Sequence, residues 1–176
     1  MELKIEGCTI DIDEAATREY YSAHPEHNSC TCTGCENFRQ YVQQLPEEVK
    51  IFFKSCGIDD MRVISEIIPF AMMDDDLLYY GGFYHLVGSM TGGETITVET
   101  PCYKTDKDEN GKLGTRLTGY RTHTHTESGK ITIGDRFTVY FTDSLALLPE
   151  GFPEKVVQME IETRLPWVID KENTYY

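Results

Sequence analysis

Positive charge is what this sequence has least of. Sixteen lysines and arginines stand against thirty aspartates and glutamates in 176 residues, a net charge of −14. The deficit is even, with 5 basic and 12 acidic residues in 1–60 and 11 and 18 in 61–176. Binding a phosphate backbone rests on clustered Lys and Arg that release counterions, and no such stripe exists, so nucleic acid is not expected as a partner. Long apolar runs are also missing. None approaches the roughly 20 residues that span a bilayer, and the opening Met1-Glu-Leu-Lys-Ile-Glu lacks the charged-then-apolar order of a secretory leader. A cytoplasmic protein with no membrane contact is expected. Glycine-rich phosphate loops are absent as well: Tyr80-Gly-Gly-Phe and Thr91-Gly-Gly-Glu read as turn glycines without the Lys or Ser/Thr that a nucleotide site adds.

What is present divides by periodicity. Leu3 to Ile12 alternates apolar and polar residues around Gly7, as two short strands would. Asp13 reads as an N-cap for a helix over 14–24 that Pro25 stops. Thr33 and Glu36 form a capping box, and Phe38, Tyr41, Val42 and Leu45 continue as a helical stripe. After Pro46 the stripe repeats in Val49, Phe52, Phe53 and Cys56 until Gly57. Beyond residue 60 the period becomes two, as in Ile96/Val98, Ile131/Ile133, Phe137/Val139/Phe141 and Val157/Met159/Ile161. Polar alternates imply one wet face and antiparallel pairing. The expectation is a single α+β domain: a mainly helical third, 1–60, packed on an antiparallel β-sheet or β-sandwich formed by 61–170.

The chemistry is concentrated in one stretch. His24-Pro-Glu-His-Asn-Ser-Cys-Thr-Cys-Thr-Gly-Cys places three thiols and two imidazoles within twelve residues, at a helix start. With a reducing compartment expected, cysteines are ligands, reactive groups or small hydrophobes rather than disulfides. Cys32 and Cys35 form a Cys-x-x-Cys pair able to face one ion, with Gly34 giving the turn its freedom, and Cys30 is a third ligand. A helix N-terminus favours the thiolate form. His27 ranks first as fourth ligand, with His24, Cys8 and Cys56 as alternatives. Sulfur ligands point to zinc. A dithiol-redox reading also fits Cys-x-x-Cys at a helix start, but such motifs follow a strand in a βαβ unit, and this one follows a helix.

Two weaker candidates lie downstream. His123 and His125 sit two apart in a strand-like run, so both imidazoles face one side and could form a second metal site. Asp106-Lys-Asp-Glu-Asn-Gly copies the start of a calcium loop, but the closing glutamate position falls on Leu117, and Asn110-Gly111 is equally a hairpin turn. His85, between Tyr84 and Leu86, reads as a packed ring.

Cys30-Thr-Cys-Thr-Gly-Cys-Glu-Asn-Phe, Phe52-Phe-Lys-Ser-Cys-Gly-Ile-Asp, Tyr84-His-Leu-Val-Gly and the terminal Leu165-Pro-Trp-Val together resemble a family of small uncharacterised bacterial proteins. The resemblance covers nearly the whole chain and implies a compact acidic domain built on Cys-x-Cys-x-x-Cys, with no activity attached. The reading favoured by the residues is a non-enzymatic binding or immunity-like protein with a structural zinc site, its acidic surface suited to a basic protein partner. The competing reading is a metal-dependent hydrolase using an open zinc site or His123/His125.

Overall fold

The computed structural model of the chain describes residues 1–25, 30–72, 76–107, 110 and 112–175. Elements run β1 (Glu2–Ile5), β2 (Cys8–Ile12), α1 (Glu14–Ala23), α2 (Thr33–Tyr41), α3 (Glu47–Ser55), β3 (Glu66–Met72), β4 (Leu78–Gly92), β5 (Glu94–Lys107), β6 (Leu113–Glu127), β7 (Ile131–Ile133), β8 (Phe137–Thr142) and β9 (Val156–Leu165). The strands form one nine-stranded sheet in the order β1-β2-β4-β9-β8-β6-β5, with β3 beside β4 and β7 beside β8. Every described pairing is antiparallel.

This corrects the expected architecture. The chain is mostly antiparallel β, 48% strand against 21% helix, not a helical third packed on a sheet or sandwich. Two physical facts account for the difference. The first hairpin, β1–β2, belongs to the same sheet, because β2 pairs with the far half of β4 from Cys8↔Gly92 to Ile12↔Gly88. The helices are held to nine or ten residues by Pro25 and Pro46 and by Gly57, whose φ is +86°. Tyr80-Gly-Gly-Phe is likewise not a turn. Gly81 and Gly82 lie inside β4, and a Cβ on Gly82 would strike the Glu66 carbonyl of the adjacent strand.

Period-two alternation decides which side of the sheet is dry. Leu78, Tyr80, Tyr84 and Leu86 of β4 share a face with Val157, Met159 and Ile161 of β9 and Phe137, Val139 and Phe141 of β8, all buried. Phe38, Val42, Leu45, Val49, Phe53 and Cys56, the apolar stripe of the helical segment, belong to the same core. Phe53 is its centre, with ring centroids 5.6 Å from Tyr84 and 5.9 Å from Phe137. Helix α1 is tied down differently: buried Thr17 accepts a hydrogen bond from the Val87 amide through Oγ1 at 2.9 Å. No helix among the described residues is long and apolar enough to cross a membrane.

Strands β5 and β6 stand apart. They pair with each other over fourteen register positions, yet among the described pairings β6 meets the rest of the sheet only at Glu127↔Thr142. The region read as a calcium loop or hairpin turn falls at the end of β5 and before β6. Asp106 pairs across to Gly114 and is engaged by Lys104 at 3.2 Å and Arg116 at 3.4 Å, while Asp108, Glu109 and Gly111 lie outside the described residues.

Truncating Phe53 to alanine removes three aromatic contacts from a site with no exposure, so Phe53→Ala should cost about 3–5 kcal/mol in urea unfolding. Ile51→Ala, on the exposed side of the same helix, should stay within about 0.5 kcal/mol of the parent.

Candidate metal centre

Helix α2 begins within the cysteine motif, and its first turn sets the geometry. Cys32, in extended backbone, is the N-cap, and its sulfur accepts from the Cys35 amide at 3.4 Å. The cap expected from Thr33 is thus supplied one residue earlier, by sulfur, and Thr33 is already helical. Cys30 is held by its carbonyl, which accepts from Arg39 Nη2 at 2.8 Å. Cys35 is buried against β3, its thiol directed at the Ile67 carbonyl 3.5 Å away. The three sulfurs lie within 4.8 Å of one another, the only group of metal-ligating type found among the described residues.

Gly34 has a different role from the turn freedom expected of it. A Cβ there would sit 2.6 Å from Pro69 and 2.8 Å from the Tyr175 hydroxyl, so glycine is required because two elements press on that backbone. Tyr80, buried on β4, donates to the Gly34 carbonyl at 2.9 Å and accepts from Asn37 Nδ2 at 3.0 Å. Fully buried Asn37 also donates to the Pro166 carbonyl at 3.0 Å and accepts from the Val168 amide at 2.7 Å. The carboxy-terminal segment after β9 is thereby docked on α2. Lys171 pairs with Glu36, and the Trp167 indole donates to the Lys171 carbonyl at 2.8 Å. Tyr175 is left beside Cys32.

The two thiols of the Cys-x-x-Cys pair are electrostatically unequal. Burial works against Cys32 ionising, but the Cys35 amide, the Tyr175 hydroxyl and the neighbouring thiols outweigh it and bring its pKa from 9.0 to about 7. Cys35 moves the other way: burial first, then the adjacent Cys32 and Cys30, push it far above the ordinary thiol value. Such a cluster stays partly protonated until a cation offsets the repulsion. Tetrahedral zinc, with Zn–S bonds near 2.3 Å, separates its sulfurs by about 3.8 Å, so the observed spacing needs to contract by at most about 1 Å.

The remaining predicted ligands fare unequally. His27 lies outside the described residues. His24 is exposed at the end of α1, its Nδ1 2.8 Å from the Tyr20 carbonyl and its ring stacked on Tyr20. Cys8 and Cys56 are buried in the core. His123 and His125 do share one side of β6, with ring centroids 5.3 Å apart. Their Nε2 atoms, however, are engaged by Ser144 Oγ at 3.0 Å and Glu127 Oε1 at 2.8 Å, and among the described residues no third metal-ligating atom lies close to both. His85 is fully buried. Its Nε2 donates to the Ala146 carbonyl at 2.9 Å, its Nδ1 accepts from Ser65 at 3.0 Å, and burial holds its pKa below the usual imidazole value.

Sequence reasoning missed Asn37 and Tyr175. Asn37 was part of the quoted cysteine motif and Pro166 and Val168 part of the terminal one, so the two motifs from opposite ends of the chain are joined by one side chain. No family model, curated protein or solved structure matches the chain.

In metal-free protein, Cys32 should alkylate with a midpoint near pH 7, while Cys35 stays unreactive in that range. Tyr175→Phe removes a hydroxyl bonded to that sulfur, so the Cys32 midpoint should rise by up to about one pH unit. Mass spectrometry of alkylated peptides across pH checks both.

Proposed function

We propose that this protein is a non-enzymatic binding protein of the immunity-like kind, in which Cys30, Cys32 and Cys35 hold zinc as a structural ion. The observation that carries the reading is the convergence of three sulfurs at the start of α2. Cys32 and Cys35 flank a helix N-terminus, and the backbone of Cys30 is held by Arg39. His27 is our choice of fourth ligand. The ion would lock the segment before α2 to the turn on which Tyr80, Pro69 and Tyr175 converge. The protein's excess of acidic charge supports a basic protein partner, whose association would be steered by that field and weakened by salt.

A dithiol reading has one observation in its favour, the contrast between a readily ionised Cys32 and a shielded Cys35. Elemental analysis of untagged protein, combined with thiol titration before and after chelation, separates the two. About one zinc per chain with thiols masked until chelation supports the structural site. Metal-free protein with a reversible Cys32–Cys35 disulfide supports the other.

For the structural site, Cys32→Ser should release the metal and lower the melting temperature by roughly 6–12 °C, the scale of about 3 kcal/mol in a chain of this size. Unchanged stability of metal-replete Cys32→Ser protein contradicts a structural ion.

A further inference from the structure

The β5–β6 ribbon is long, and both of its faces are open to solvent along most of its length. An isolated two-stranded hairpin is marginal in water; a third strand or an apolar covering is what makes one stable. Residues directly opposite in an antiparallel pair point to the same face, so the register sorts the ribbon's side chains. One face carries Glu99/Thr122, Pro101/Tyr120, Tyr103/Leu117, Thr105/Thr115 and Lys107/Leu113. The Thr105–Thr115 hydroxyl contact at 3.2 Å agrees with that sorting, as does the grouping of Lys104, Asp106 and Arg116 by ion pairs on the opposite face.

The first face is an apolar stripe lying in water. Tyr103 is 63% exposed, Leu113 63%, Tyr120 62% and Leu117 46%. Its charges lie at its two ends, Glu99 at one and Lys107 at the other, each four residues from Tyr103 along β5. That arrangement is self-complementary. A two-fold axis crossing the ribbon along the Tyr103–Leu117 pair places each of these residues against its own copy. It also sets Lys107 of one chain over Glu99 of the other, Tyr120 over Thr115 and Leu113 over Thr122. No like charges meet, and each large apolar side chain that does not meet its own copy finds a threonine with a methyl group.

We infer that this protein self-associates through the ribbon, two copies packing their Tyr103/Leu117/Tyr120/Leu113 faces together about a two-fold axis with reciprocal Lys107–Glu99 pairs. The four side chains offer roughly 400–500 Å² of exposed area per copy. Two copies then bury about 800–1,000 Å², the size of a weak, reversible interface, so dimerisation is read from its concentration dependence. The contact leaves the cysteine site and the body's acidic surface outside the interface.

Sedimentation velocity on the full chain, from about 1 to 200 µM, tests this. The parent protein should shift from monomer to dimer with concentration, and Leu117→Lys should remain monomeric with an unchanged circular dichroism spectrum and melting curve. Glu99→Lys and Lys107→Glu should each weaken dimerisation by about tenfold, and the double variant should recover it because the pairs re-form with reversed sign. A parent that stays monomeric across the range overturns the proposal and leaves the stripe to a different partner. A dimer unaffected by Leu117→Lys, or a double variant no tighter than the single ones, overturns it too.

Discussion

Strand β4 is hydrogen-bonded along both edges, and this is the constraint on which the rest of the structure depends. On one edge β9 pairs with it over ten residues, from Leu78↔Leu165 to Val87↔Val156. On the other, β3 takes the first part and β2 the last. Between them, at His85 and Val87, α1 completes that edge: the Tyr21 hydroxyl accepts from the His85 amide and donates to its carbonyl, and Thr17 Oγ1 accepts from the Val87 amide, so the strand's apolar face is covered at little polar cost. Tyr80, Tyr84 and Leu86 supply that face, and Phe38 and Phe53 from the helices lie over it. Gly82 inside β4 follows from the same crowding, since a Cβ there would strike the Glu66 carbonyl of β3.

The cysteine centre inherits its position from that strand. Tyr80 reaches from β4 to the Gly34 carbonyl and to Asn37, and Asn37 in turn holds the segment after β9, which runs back over α2. The Asn37 amide is buried and uses both ends, so its three contacts stand or fall as a unit. Cys32 is therefore placed by local helix capping, and its ionisation, favoured first by the Cys35 amide, is favoured further by a tyrosine more than 140 residues away. Cys35 is tuned by burial against β3. The inequality of the two thiols has a local part, the Cys35 amide and the thiols set side by side by the motif's spacing, and a packing part, the Tyr175 hydroxyl and the burial of Cys35.

The sheet's two ends differ in kind. Around β4, β9 and β8 one face is dry throughout, and the other is covered as well at Phe83, His85, Val87, Gln158 and Thr142. In the β5–β6 ribbon neither face is covered by the chain itself, and an apolar stripe on one of them sits opposite ion pairs on the other. Threonine and β-branched content favours extended backbone there, but a two-stranded ribbon gains little from it without a surface to pack against. The proposed second copy supplies that surface.

Local pattern determined a good deal by itself. The helical stripe from Phe38 to Cys56, the strand alternation of Phe137 to Phe141 and Val157 to Ile161, the cap at Asp13 and the gathering of three cysteines at a helix start were all legible. Each is set by side chains within a few residues of one another. The fold class was not. Whether β1–β2 forms a separate unit or an edge of the main sheet depends on pairing between residues some eighty positions apart, and nothing in the first twelve residues specifies their partner. Of the β5–β6 arm only Ile96/Val98 showed an apolar period, because the rest of its alternation is largely threonine and charge. The same holds for Gly34, Asn37 and Tyr175, whose roles come from long-range contact. Periodicity and capping are written in sequence because they act between neighbours, whereas strand order, the tail's return to α2 and the share of Cys32's tuning that Tyr175 adds arise only when distant segments compete for the same buried surface.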